Sequence, residues 1–137
     1  MIATPNRTVA LENNHVLVVD DDIELSLLYQ GLLQAHGYRV STAANGAQAL
    51  KLVAKGQVDA ILCDLSMPEL AGDLFYLEVG RAQPQLLKRF IFVTANADNQ
   101  MYEAFLRKIK APVLSKPVST DRLVEKLEGM LRASAGG

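Results

Sequence analysis

The sequence is short of several things at once. It has one cysteine, Cys63, which excludes an internal disulfide and any multi-cysteine zinc site. Neither charge is in excess: 14 Lys+Arg stand against 15 Asp+Glu, a formal net charge of −1. A dedicated nucleic-acid binder usually carries a basic excess and a polybasic membrane anchor always does, so neither class fits. No apolar run approaches the roughly 18–20 residues of a membrane span. Residues 1–14 are polar and lack the apolar centre of a signal peptide. No internal repeat is visible. Together these absences lead us to expect a soluble cytoplasmic domain with no membrane partner and no direct nucleic-acid partner.

What is present is the making of one ordinary core. Of 137 residues, 50% are apolar and 21% charged, so the chain is not compositionally disordered and suits one domain. Residues 1–14 read as a loose lead-in, 15–132 as the domain and 133–137 as a flexible tail. His15-Val16-Leu17-Val18-Val19 is too short for a buried helix and too apolar for an exposed strand, so it predicts a central parallel strand. It ends in Asp20-Asp21-Asp22. Leu25, Leu28, Leu32 and Ala35 then recur at helical spacing, with Asp22 as N-cap and Gly37 as stop. Residues 38–43 alternate and read as a strand nearer a sheet edge. Asn45 caps a helix to about 55, ended by Gly56. Residues 58–63 form a third strand, again ending in an acid, Asp64.

The pattern continues to the end. A helix over 72–81 carries Leu74, Leu77 and Val79. A strand over 90–93 ends at Thr94. A helix over 99–108 turns Met101, Ala104 and Phe105 inward. Residues 112–114 are a short fifth strand, followed by Ser115-Lys116-Pro117. Ser119 or Thr120 caps a last helix bearing Leu123, Leu127 and Leu131. Five strands alternating with five helices predict an α/β sheet with right-handed crossovers. Ligands of such sheets bind beyond the carboxyl ends of the strands. Those ends carry Asp20-Asp21-Asp22, Asp64, Thr94 and Lys116.

Several carboxylates in one crevice repel each other unless a cation sits among them. Carboxylate and carbonyl oxygens suit a hard divalent ion, and Mg²⁺ needs few protein ligands. A divalent ion, a lysine and a hydroxyl supply the charge neutralisation and positioning that a transferring phosphoryl group requires. One carboxylate can then be the nucleophile and form an acyl phosphate. Each residue alone has a plainer use: Asp22 as a helix cap, Thr94 in a turn, Lys116-Pro117 in a loop. Their arrival in order at successive strand ends is what the plainer uses leave unexplained.

Val18-Val19-Asp20-Asp21-Asp22, Asp64-Leu65-Ser66-Met67-Pro68 with Gly72, Val93-Thr94-Ala95 and Ser115-Lys116-Pro117 resemble the receiver domain of bacterial two-component response regulators. The resemblance runs from about His15 to Leu131. It implies a flavodoxin-like (βα)5 fold with sheet order 2-1-3-4-5. It implies that Asp64 accepts a phosphoryl group from a sensor histidine kinase or a histidine phosphotransfer protein. Asp21, Asp64 and the Ser66 carbonyl would ligate Mg²⁺ directly, with Asp20 acting mostly through a bound water. Thr94 and Lys116 would meet the phosphoryl oxygens, and Lys116-Pro117 would be cis. The surface of the fourth helix, fifth strand and fifth helix would then switch and signal to a downstream protein.

The chain departs from the family pattern at three places. Val113 stands where an aromatic ring usually partners the threonine, so the conformational readout is expected to differ. Ala71 replaces an aspartate before the glycine. Val118 replaces a phenylalanine, which weakens any carry-over of the dimer of DNA-binding regulators. The stretch around Val113 looks more like receivers attached to hybrid sensor kinases. Cys63 alternates to the other face of its strand from Asp64 and reads as a buried structural thiol. His15 and His36 are not placed as phosphodonors or ligands. Lys88-Arg89 and Arg107-Lys108-Lys110 read as solvated basic clusters or a contact for an acidic partner. Two other functions compete: a haloacid-dehalogenase-type phosphatase with Asp20 as nucleophile in a D-x-D motif, and a receiver-like interaction domain that is never phosphorylated. A flavin site is disfavoured by carboxylates where a flavin phosphate would need donors.

Overall fold

The computed structural model describes residues 14–65, 72–95, 100–109 and 111–136. Strand β1 (His15–Val19) leads to helix α1 (Ile23–Ala35), then β2 (Arg39–Ala43), α2 (Gly46–Ala54), β3 (Ala60–Asp64) and α3 (Gly72–Ala82). A 3-10 helix (Pro84–Arg89) precedes β4 (Phe90–Thr94), followed by α4 (Gln100–Ile109), β5 (Val113–Ser115) and α5 (Thr120–Gly136). The strands form one parallel sheet in the order β2-β1-β3-β4-β5, the flavodoxin-like arrangement that the motifs imply. The loop that carries Ser66, Met67, Pro68 and Ala71, together with residues 1–13 and Lys110, lies outside the described residues.

The three central strands are buried on both faces, as their unbroken apolar runs require. Alternate side chains feed two cores. One holds Leu17, Val19, Ile61, Cys63, Phe90 and Phe92, closed by α2, α3 and Tyr102 of α4. Within it Phe75, Tyr76, Phe90, Phe92 and Phe105 pack ring against ring, mostly edge to face. The other holds Val16, Val18, Leu62, Ile91 and Leu114, closed by Tyr29 and Leu33 of α1 and Leu123, Leu127 and Leu131 of α5. Cys63 is fully buried opposite Asp64, as its alternation predicts.

The caps are where the sequence places them. Asp22 accepts from the Leu25 amide at 3.1 Å, Asn45 from Gln48 at 2.9 Å, and Ser119 from Arg122 at 3.2 Å. Gly37 (φ 91°) closes α1: its amide reaches the Gln34 carbonyl while Tyr38 reaches Leu33, and both Tyr38 and Leu33 enter the core.

Three helix faces differ from the predicted ones. On α1 the buried residues are Ser26, Tyr29 and Leu33, while Leu28 is 56% exposed. On α3 they are Phe75, Tyr76 and Val79, with Leu74 and Leu77 outside. On α4 Ala104 faces solvent while Tyr102 is buried and Phe105 packs partly buried against the core; the Met101 side chain lies outside the described residues. Helix α5 runs to Gly136, through the stretch read as a tail. The 3-10 helix is also absent from the sequence reading, although Pro84 at its first turn signals a start.

Candidate functional site

Parallel register brings the strand ends level. Val19 stands beside Cys63 and Ala43, Asp64 beside Val93, and Thr94 beside Ser115. The residue after each of β1 and β5, and the last residue of each of β3 and β4, therefore share one rim. Those residues are Asp20, Asp64, Thr94 and Lys116, so the structure gathers the predicted set. Ser66 lies outside the described residues.

Asp20 is buried and held on every side. Its amide donates to the Ala43 carbonyl at 3.1 Å. Its Oδ1 accepts from the Asp22 amide at 2.9 Å, and its Oδ2 accepts from Lys116 Nζ at 3.0 Å. Its carbonyl accepts from the Ser26 hydroxyl at 3.3 Å. Asp21 is exposed. Asp64 is buried, and its Oδ2 lies 3.5 Å from the same Lys116 Nζ. Thr94 is buried, and its carbonyl accepts from the Lys116 amide at 2.9 Å. The Lys116-Pro117 peptide is cis.

One ammonium thus faces two buried carboxylates. Burial alone would push the Lys116 ammonium down, but its hydrogen bond to Asp20 and the charges of Asp64 and Asp20 outweigh that and raise it. Asp20, Asp21 and Asp64 each offer an oxygen within 4.8 Å of the others'. Three oxygens of that kind, short of positive charge, fit a hard divalent cation. Beside them, burial pushes the Cys63 thiol well up, with Asp64 and Asp20 adding to it, so it is no thiolate nucleophile.

The histidines have structural partners. His15 Nε2 lies 2.7 Å from Ser41 Oγ and its Nδ1 3.1 Å from the Gln57 carbonyl. His36 Nδ1 lies 2.9 Å from the Leu32 carbonyl. Of the basic clusters, Arg89 approaches Asp59 and Arg107 pairs with Glu103. Ser26 is the site residue that sequence reasoning missed. Its only signal is a polar side chain at a core position of α1, three residues before Tyr29 and seven before Leu33.

A family model described as the response regulator receiver domain matches residues 16–128. Transcriptional regulatory protein GlrR of Escherichia coli (strain K12) is 33% identical over 121 residues, covering 88% of this chain and 27% of that protein. Sensor kinase CckA of Brucella abortus (strain 2308) is 33% identical over 122 residues, covering 85% of this chain and 12% of that protein. The chain therefore spans about a quarter or less of these relatives. Among solved structures, chemotaxis protein CheY4 of Vibrio cholerae superposes with TM-score 0.76 at 30% identity, covering 87% of this chain and 99% of that one. Response regulator TrrA of Thermotoga maritima, solved in complex with Mg(2+)-BeF, gives TM-score 0.74 at 30% identity, covering 86% and 99%.

Proposed function

This chain belongs to the response regulator receiver domain family, a family of phosphoacceptor signalling domains, and from that membership we propose how its own residues work. Residues 15–132 form the receiver unit. Asp64 is the phosphoacceptor. An oxygen of its carboxylate attacks phosphorus on a phosphohistidine, the P–N bond breaks, and the electron pair returns to the imidazole nitrogen, which takes up a proton. The donor is a sensor histidine kinase or a histidine phosphotransfer protein. A protein donor is supported by Ile23 and Leu27, large aliphatic side chains left exposed on α1 beside the acids.

Asp21, Asp64 and the Ser66 carbonyl would hold Mg²⁺, with Asp20 contributing from behind, since Lys116 already occupies its Oδ2. The ion, when bound, offsets the charge of the incoming phosphoryl oxygens. Lys116 is half-buried between Asp20 and Asp64, where it meets the same charge. Thr94 offers a hydroxyl from the adjacent strand end. The new charge of about −1.5 to −2 draws Thr94 and Lys116 toward Asp64 and reshapes the surface of α4, β5 and α5. Val113 is partly buried against the aromatic core, so this readout proceeds without a ring at that position. Slow self-dephosphorylation resets the switch.

The single observation that carries this reading is one lysine ammonium shared by two buried carboxylates at the carboxyl end of the sheet. The phosphatase reading is not favoured, because Asp20, its nucleophile, has both carboxylate oxygens engaged by the Asp22 amide and Lys116. The test is intact mass after incubation with Mg²⁺ and acetyl phosphate. One phosphoryl group should be gained, and lost in Asp64→Asn and in EDTA. A variant that still gains it removes Asp64 from its role. A wild type inert to acetyl phosphate and to a phosphorylated histidine donor favours an interaction domain.

A further inference from the structure

Ser26 is a polar residue in a core position: it is 4% exposed on the inner face of α1, alongside Tyr29 and Leu33. Such a hydroxyl is costly unless bonded. Its bond does not close the helix in the usual way, back to a carbonyl one turn earlier. It donates instead to the carbonyl of Asp20, six residues before it, at 3.3 Å. That carbonyl belongs to the planar peptide joining Asp20 to Asp21. Fixing its oxygen toward α1 fixes the whole plane, and with it the direction in which Asp21 leaves the strand.

One other bond spans this peptide: the Asp22 amide donates to Asp20 Oδ1 and closes a turn over Asp21. The Asp20 amide and Oδ2 are held by Ala43 and Lys116, ahead of it. None of these bonds takes the peptide oxygen itself, which is where the Ser26 hydroxyl acts. A small surface pocket of about 50 Å³, lined by Asp20, Ser26, Thr42 and Ala43 among others, adjoins this segment. Asp21 is the exposed member of the three-carboxylate cluster, so its placement depends most on the backbone that presents it.

We propose that Ser26 is the positioning residue of the acidic cluster: its hydroxyl sets the Asp20–Asp21 peptide and thereby the affinity of the site for a divalent cation. This rests on the reading of the cluster as a Mg²⁺ site. It adds a residue that supplies no ligand and touches no reacting atom.

The experiment compares Ser26→Thr with Ser26→Val. The two introduced side chains have the same shape, the adjoining pocket has room for their extra methyl group, and only Thr keeps the hydroxyl. Mg²⁺ affinity is measured by calorimetry on the folded proteins, with urea midpoints in EDTA alongside. Ser26→Thr should bind within about twofold of wild type, and Ser26→Val roughly three- to tenfold more weakly, the worth of one neutral hydrogen bond. Amide exchange at Asp21 without Mg²⁺ should quicken in the Val variant and not in the Thr variant. Equal Mg²⁺ affinity of the two variants overturns the proposal, whatever their urea midpoints, because a purely structural serine would lower stability and leave affinity alone. Ser26→Ala gives the same comparison against Ser26→Thr should the Val variant not fold. A wild type that binds no Mg²⁺ overturns the metal-site reading itself.

Discussion

Replacing Asp64 with asparagine should stabilise the metal-free protein. Its carboxylate is buried 3.5 Å from Lys116 Nζ, an attraction of about 4.7 kcal/mol at an effective dielectric of about 20. Against this, Asp20 offers an oxygen within 4.8 Å, a repulsion of about 3.5 kcal/mol in the same medium. The exposed Asp21 adds about 1 kcal/mol in a dielectric near that of water. Attraction and repulsion among these charges therefore nearly cancel, so the Lys116 contact does not offset the desolvation of a buried carboxylate, several kcal/mol. Asparagine keeps the shape and removes that cost. We expect Asp64→Asn to unfold with about 1–2 kcal/mol more free energy than wild type in EDTA, read from urea denaturation. Mg²⁺ should narrow the gap by stabilising the wild type more than the variant. A variant less stable than wild type in EDTA would refute the reasoning, since the Lys116 contact would then exceed the strain of the cluster.

Three further outcomes are expected. Lys116→Ala should accept phosphoryl groups more weakly and lose the conformational response, followed by amide shifts of β5 and α5 on phosphorylation; an unchanged response would contradict its role. Tyr38 has a buried hydroxyl with no hydrogen-bond partner, and burial, helped by Glu128 against Arg132, pushes its phenol up to about 12. A folded-state value raised above the usual 10.0 of a phenol favours folding at neutral pH and loses that contribution as pH rises from about 10 through 12, so alkaline urea titrations of wild type should fall there. Tyr38→Phe should fall less steeply and be neutral to about 1 kcal/mol more stable at pH 7. Gly31 lies on the exposed face of α1 with nothing within 4 Å of an added Cβ, so Gly31→Ala should raise the unfolding free energy by about 0.5–1 kcal/mol.

The strands were legible because a strand covered on both faces has no room for a polar residue, and β1 after His15, and β3 and β4 before their last residues, have none. The caps were legible because Asp22, Asn45 and Gly37 each do a local job. Helix faces were harder. In α1, leucines occupy more of the circumference than one stripe, so spacing alone cannot say which stripe meets the sheet; Tyr29 and Leu33 do, and Leu28 does not. In α3 the rings Phe75 and Tyr76 win the interior from Leu74 and Leu77 because β4 presents rings for them to meet. The site acids, Thr94 and Lys116 were legible because the fold class says that strand ends converge. Ser26 was not, because its partner is a backbone carbonyl, which every residue possesses.

The strand order also has a temporal side. β1 lies between β2 and β3, while β4 and β5 are added beyond β3. A nascent chain that has reached Leu65 already holds the three strands nearest one edge and all three acids, but neither Thr94 nor Lys116. Synthesis runs from the N-terminus, so all three carboxylates are made before the lysine that balances them. The last strand to be made, only three residues long, is what brings the charge balance. Completion of the site and completion of the sheet are one event.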